Sequence, residues 1–258
     1  MPEWHATDGS AIYYELHGNR RNRPTLLLLP GMLGAVERQW QRFVGPLSVD
    51  FQVLLTDLRG HGRSDNRAPR LEPDQMANDI LGLLDALELQ RVFVAGYSLG
   101  GYLALLLQLE QPRRIARLLL HATKVYWNTQ AATALQQQLD PERIEDQAPA
   151  YAQRLAIAHG AARWRGLVRQ AADLVAYLVD HNLTDNEIAQ VQVPVLVSVG
   201  DTDELVSTAE AIRLSRLLPQ GQLLVLPRAR HPLQTISPVP FLPAMQQFFG
   251  IREGTWTI

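Results

Sequence analysis

The chain has 258 residues, 47% of them hydrophobic, with a formal net charge of −2 and no cysteine. This supplies a core for one large α/β domain, or for a core with an insertion. It excludes disulfides, thiolate catalysis and cysteine-held zinc, and the weak net charge gives no electrostatic case for nucleic acid or an anionic membrane as partner.

In chain order, residues 4–17 with Asp8-Gly9-Ser10 in the middle read as a hairpin. Arg20-Arg21-Asn22-Arg23 follows as a solvated basic turn. Apolar runs at 25–29, 52–56, 91–95 and 115–120 read as strands. Helical periodicity lies between them, near 40–47, 74–89 and 99–111. The alternation resumes with a strand at 195–199, a helix at 208–218, a strand at 222–226 and a closing helix near 239–249. Such alternation predicts a mostly parallel sheet covered on both faces. From 125 to 190 the pattern changes to helices alone, at 130–139, 141–159 and 161–181. An all-helical insertion there predicts a cap over the C-terminal edge of the sheet, where open α/β folds bind ligands. No stretch has the apolar length of a transmembrane helix. The opening residues Met1 to His5 lack the basic and apolar regions of a signal peptide, so a cytoplasmic location is expected.

The most specific local feature is Gly96-Tyr97-Ser98-Leu99-Gly100, a G-x-S-x-G pentapeptide between a strand and a helix. A serine on such a turn has its hydroxyl pushed out at the strand end. The N–H of the next residue, Leu99, is then free to bind an oxyanion. Gly96, Gly100 and Gly101 let strand and helix approach closely at that corner.

Taken together, four signatures resemble the α/β-hydrolase fold superfamily over nearly the whole chain. They are Leu29 to Gly34, the glycine-rich turn Asp57 to Asp65 of form D-x-R-G-x-G-x-S, the Ser98 pentapeptide, and the pair Gly200-Asp201-Thr202-Asp203 and Arg230-His231-Pro232. The resemblance implies an eight-stranded, mostly parallel sheet with helices on both faces. The hydrolase core would be 1–124 and 191–258, with a helical cap at 125–190. It also implies a serine esterase type of enzyme that needs no metal and no cofactor.

A serine needs a base to take its proton, and the base needs a carboxylate to fix its tautomer. The chain order in this fold is serine, acid, histidine. Ser98, Asp203 and His231 obey it, each after a strand end. Asp201 and Glu204 compete for the acid, and the family spacing after Gly200 selects Asp203. Among the other histidines, His61 reads as structural and His121 as a core or edge residue. His5, His17, His159 and His181 fall in the hairpin or cap without triad context. The oxyanion hole would use the N–H groups of Met32 and Leu99. Here the sequence departs from the family pattern, because Pro30 stands where a histidine is usual, which puts the support of that loop in doubt.

Five residues are candidates for the substrate lining: Leu33, Tyr97, Tyr126, Trp127 and Trp164. For the helical aromatics, packing is the competing account. Any that line the cleft imply a small-molecule substrate with an apolar acyl or alcohol group. Lys124, the sole lysine, could hold a substrate carboxylate, although a surface position is the simpler reading. The reaction implied is cleavage of a carboxylic ester, thioester or lactone through an acyl-enzyme. Perhydrolases, haloperoxidases, carbon–carbon bond hydrolases and some lyases share the triad, and a non-catalytic receptor could retain one. Aspartate-dependent dehalogenases and epoxide hydrolases are disfavoured by Ser98. A homodimer is left open.

Overall fold

The computed structural model describes residues 2–18 and 23–250. Arg20, Arg21 and Asn22 of the basic turn lie outside the described residues, while Arg23 bonds the carbonyl of Ser48. The chain begins with strands β1 (Glu3–His5) and β2 (Ala11–His17), an antiparallel pair. Their turn is closed by Asp8, whose Oδ1 accepts from the Ser10 N–H at 2.9 Å.

Strands β3 (Thr25–Leu29), β4 (Gln52–Thr56), β5 (Val92–Tyr97), β6 (Ile115–His121), β7 (Val195–Gly200) and β8 (Gly221–Leu226) complete an eight-stranded sheet. The order is β1-β2-β4-β3-β5-β6-β7-β8, parallel from β4 onwards. Every residue of β3 and β4 is buried, as expected of strands covered on both faces. Helices α1 (Gln41–Leu47), α2 (Pro73–Ala86), α3 (Leu99–Glu110), α9 (Thr208–Leu217) and α10 (Pro238–Phe248) supply that cover. Side chains of α2, α3 and α9 share one buried cluster, and those of α1 and α10 share the cluster on the opposite face.

Between β6 and β7 come α4 (Thr129–Gln138), α5 (Pro141–Gln147), α6 (Pro149–His159), α7 (Trp164–Asp180) and α8 (Asp185–Ile188). The single helix expected over 141–159 is two. Pro149 has no N–H to donate and forces the preceding residue out of helical geometry, and Ala148 accordingly sits at φ −142°, ψ 56°. These helices have a small core of their own, built on Leu155, Trp164, Val168 and Val175. Met32 and Leu33, from the loop after β3, pack against it. The insertion is thereby joined to the C-terminal ends of the central strands.

Candidate active site

Ser98 follows the last residue of β5 and precedes the first of α3, with φ 51° and ψ −117°. A non-glycine residue at positive φ is strained and is held only by its surroundings. The surroundings here are tight. A side chain at Gly96 would overlap the backbone of Gly100 and Gly101, and one at Gly100 would overlap the carbonyls of Leu29 and Pro30. The Ser98 N–H is fixed on the His121 carbonyl at 2.9 Å. Leu99 opens α3, so its N–H has no intrahelical acceptor.

The ends of β7 and β8 bring two more groups to the same point. Asp203 Oδ2 lies 3.0 Å from His231 Nδ1, and His231 Nε2 lies 3.2 Å from Ser98 Oγ. The Asp203 side chain is fully shielded from solvent. Burial alone would raise its pKa. The bond from His231 and the N–H groups of Val206 and Leu205 outweigh that and hold it below the ordinary value. With Nδ1–H donated to this carboxylate, Nε2 is left to accept the hydroxyl proton of Ser98. The backbone around His231 is pinned as well. Its N–H bonds Glu204 Oε2 at 3.1 Å, and its carbonyl accepts from the Tyr97 hydroxyl at 3.0 Å. Asp201, the competing acid, is exposed.

The loop after β3 carries Met32 and is held from several sides. Gly31 N–H donates to Gln39 Oε1 at 2.7 Å, and Val36 N–H to Asp57 Oδ1 at 2.7 Å. Burial pushes the Asp57 carboxyl up to about 6, against the bonds from Arg63 and Val36. The third support is His159, the last residue of α6. Its Nδ1 lies 2.8 Å from the Gly62 N–H nitrogen and its Nε2 lies 3.1 Å from the Leu33 carbonyl oxygen. The first partner is a donor and the second an acceptor, so the ring is neutral with its proton on Nε2. Burial lowers its pKa to about 4, in keeping with that state. Gln39 and His159 therefore support the loop where Pro30 replaces the usual histidine. No sequence signal marked His159, because its partners are 97 and 126 positions away.

Two cavities meet at Ser98. The larger, about 1090 Å³, is lined by Met32, Leu33, Tyr97 and His231 from the core and by Leu135, Leu139 and Leu155 from the insertion. The smaller, about 30 Å³, is lined by Leu99, Tyr102, Lys124, Trp127, Val175 and Leu178. Leu33, Tyr97 and Trp127 thus reach the site. Tyr126 and Trp164 line neither cavity. Tyr126 lies beneath the Arg213 guanidinium, 4.1 Å from its ring centre, and Trp164 fills the core of the insertion.

Lys124 is not a surface residue. It is buried, with Nζ 2.6 Å from Glu210 Oε1 and 5.6 Å from the Trp127 ring centre. His61 and His121 are buried, and burial lowers both to about 3, so both rings are uncharged at neutral pH.

A polarised serine at the C-terminal edge of a doubly covered parallel sheet defines a hydrolase of the triad class. Residues 24–164 match the family model described as the alpha/beta hydrolase fold, and the chain belongs to that family. It is similar to the Agrobacterium fabrum protein named "Putative carbamate hydrolase RutD", at 29% identity over 95% of this chain and 100% of the relative. It is also similar to the human "Serine hydrolase BPHL", at 25% identity over 88% of this chain and 79% of the relative. The solved enol-lactonase of Burkholderia xenovorans shares the fold, with a TM-score of 0.76, 24% identity and coverage of 96% and 99%. This protein is a hydrolase. Among its described residues no helix is long and apolar enough to cross a membrane.

Proposed function

We propose that this protein is a serine hydrolase that cleaves a carboxylic ester, thioester or lactone through an acyl-enzyme. The observation that carries the reading is the unbroken line Asp203, His231, Ser98, with separations of 3.0 and 3.2 Å. Ser98 Oγ attacks the substrate carbonyl as His231 Nε2 takes its proton. The Asp203 carboxylate keeps the imidazole in the required tautomer and stabilises the imidazolium. The N–H groups of Met32 and Leu99 receive the oxyanion. His231 then hands its proton to the leaving group, and water repeats the cycle on the acyl-enzyme. A carbamate or lactone, the substrates in the relatives' names, presents the same carbonyl to Ser98.

The insertion at 125–190 acts as a lid in this reading, since its leucines wall the larger cavity. A fluorophosphonate probe tests the mechanism. Labelling of Ser98, located by peptide mass spectrometry and abolished by Ser98→Ala, is the expected result. Labelling at another serine, or none in the folded protein, overturns it.

A further inference from the structure

We infer that the 30 Å³ cavity is the acyl site, so the preferred substrates are short-acyl esters of a large, mainly apolar alcohol. The inference rests on the serine-hydrolase reading and adds a direction to it. A tetrahedral carbon on Ser98 bears four groups: Oγ, the oxyanion, the leaving oxygen and the acyl carbon. The oxyanion is placed by the Met32 and Leu99 N–H groups. The leaving oxygen must lie within hydrogen-bond reach of His231 Nε2, which protonates it. His231 lines the larger cavity and does not line the smaller one, whereas Leu99 lines only the smaller. The alcohol portion therefore extends into the 1090 Å³ cleft, and the acyl chain is left facing the 30 Å³ pocket.

That pocket is far smaller than the cleft, about 30 Å³ against about 1090 Å³. A short acyl chain such as acetyl or propionyl suits it better than a long one. Its walls are not free to retreat. Trp127 is held by a reciprocal pair of bonds, its N–H to Asn182 Oδ1 at 2.7 Å and its carbonyl from Asn182 Nδ2 at 2.9 Å. Lys124, itself tied to Glu210, sits over the Trp127 ring. Tyr102 donates its hydroxyl to the His181 carbonyl at 3.0 Å. Val175 and Leu178 are buried on α7.

The chemistry balances without a further reactant. The Ser98 Oγ–carbon bond forms and the carbon–alcohol oxygen bond breaks. The serine proton passes through His231 to the alcohol. Water then cleaves the acyl-enzyme to the short carboxylic acid and restores Ser98.

Two ester series test the assignment, run beside fluorophosphonate labelling of the same preparation. In p-nitrophenyl esters the acyl chain is lengthened from acetate through butyrate to hexanoate. In the second series acetates of methanol, butanol and octanol lengthen the alcohol. kcat/KM is expected to fall by about ten-fold or more along the first series, the scale of a misfitting methylene or two, and to hold or rise along the second. Trp127→Ala, and separately Leu178→Ala, should raise the hexanoate-to-acetate ratio by about ten-fold. Two variants from different segments guard against one failing to fold, which circular dichroism would reveal. A labelled Ser98 with flat or rising acyl-length dependence overturns the acyl-site assignment and leaves the hydrolase reading standing. A folded protein without labelling or turnover overturns both.

Discussion

His159 Nε2 lies 3.1 Å from the carbonyl oxygen of Leu33, so the last residue of α6 is bonded to the loop that carries Met32. Leu33 is itself at φ 56°, a conformation its surroundings must impose. The second ring nitrogen accepts from Gly62 in the glycine-rich turn. One neutral imidazole thus couples the insertion, the loop after β3 and the turn after β4.

His159→Ala is expected to lower kcat by about ten- to a hundred-fold while KM changes little, because the side chain aligns Met32 without lining either cavity. Leaving the Gly62 N–H and Leu33 carbonyl unpaired should also cost about 1–3 kcal/mol of stability. His159→Gln, which can still donate to Leu33, should recover part of kcat. Steady-state kinetics with urea unfolding separates the two effects. A folded alanine variant with unchanged kcat would show that the loop holds itself.

Ser98 gives a second test, in which stability and activity move apart. Ser98→Ala and Ser98→Gly should both lose activity on the order of a million-fold, the loss seen when the serine is removed from a serine protease. Only glycine relaxes the backbone at φ 51°. Ser98→Gly should therefore be more stable than Ser98→Ala by about 1 kcal/mol, net of glycine's larger unfolded-state entropy. Equal melting temperatures would mean that the strain at this turn is relieved elsewhere.

The elbow was legible because its signal is local: strand, serine, helix and glycines lie within about a dozen residues. The expected bounds of β3 and β4 agree with the structure for a related reason, since each is built on one short run of consecutive apolar residues, Leu26 to Leu29 and Val53 to Leu55. Long-range features were not legible. Lys124 read as a surface lysine because Glu210, which neutralises it, lies 86 positions away. His159 read as an ordinary cap histidine for the same reason. Tyr126 and Trp164 have the chemistry of pocket aromatics, but Tyr126 lies in the loop before α4 and packs under Arg213, 87 positions away, while for Trp164 helix rotation decides which side of the insertion it faces. That rotation aims Trp164 inward to the insertion's own core. The split between α5 and α6 was visible at Pro149, yet the apolar pattern on either side masked it.

The carboxylates near His231 have separable roles. Asp203→Asn can still accept from Leu205 and Val206 through Oδ1, so the fold should persist. Its amide nitrogen would then face His231 Nδ1 and favour the tautomer with the proton on Nε2, which cannot accept from Ser98. A loss of about ten-thousand-fold in kcat is expected, as for the same change in trypsin. Glu204→Gln keeps an acceptor for the His231 N–H and removes only the exposed pair with Arg230, so a change of a few-fold is expected. Asp201→Asn should have no measurable effect on kcat. A large loss in Asp201→Asn with a small one in Asp203→Asn would reassign the acid.

Stability should fall on mild acidification, and the sign follows from which state binds more protons. His61, His121 and His159 titrate near 3, 3 and 4 in the folded protein, lowered chiefly by burial, against about 6.5 when unfolded. Between about pH 6.5 and 4 the unfolded chain therefore carries protons on these rings that the native state refuses. Their contribution is complete above pH 6.5 and is lost as pH falls through that window. Asp203, held below its ordinary value, acts in the same direction at lower pH. Asp57 opposes them, because a native value of about 6 makes the folded state the better proton acceptor between about pH 6 and 4. Asp79, raised by burial against its bond from Arg59, opposes them too, and three rings against these two carboxyls leave a net loss on the order of a few kcal/mol from pH 7.5 to 4.5. Urea midpoints measured at pH 7.5, 6.0 and 4.5 should decline steadily. His121→Asn, which removes one such ring while keeping a polar group beside Ser198 Oγ, should flatten the decline. A midpoint that holds or rises as the pH drops would mean that these histidines take up protons in the native fold.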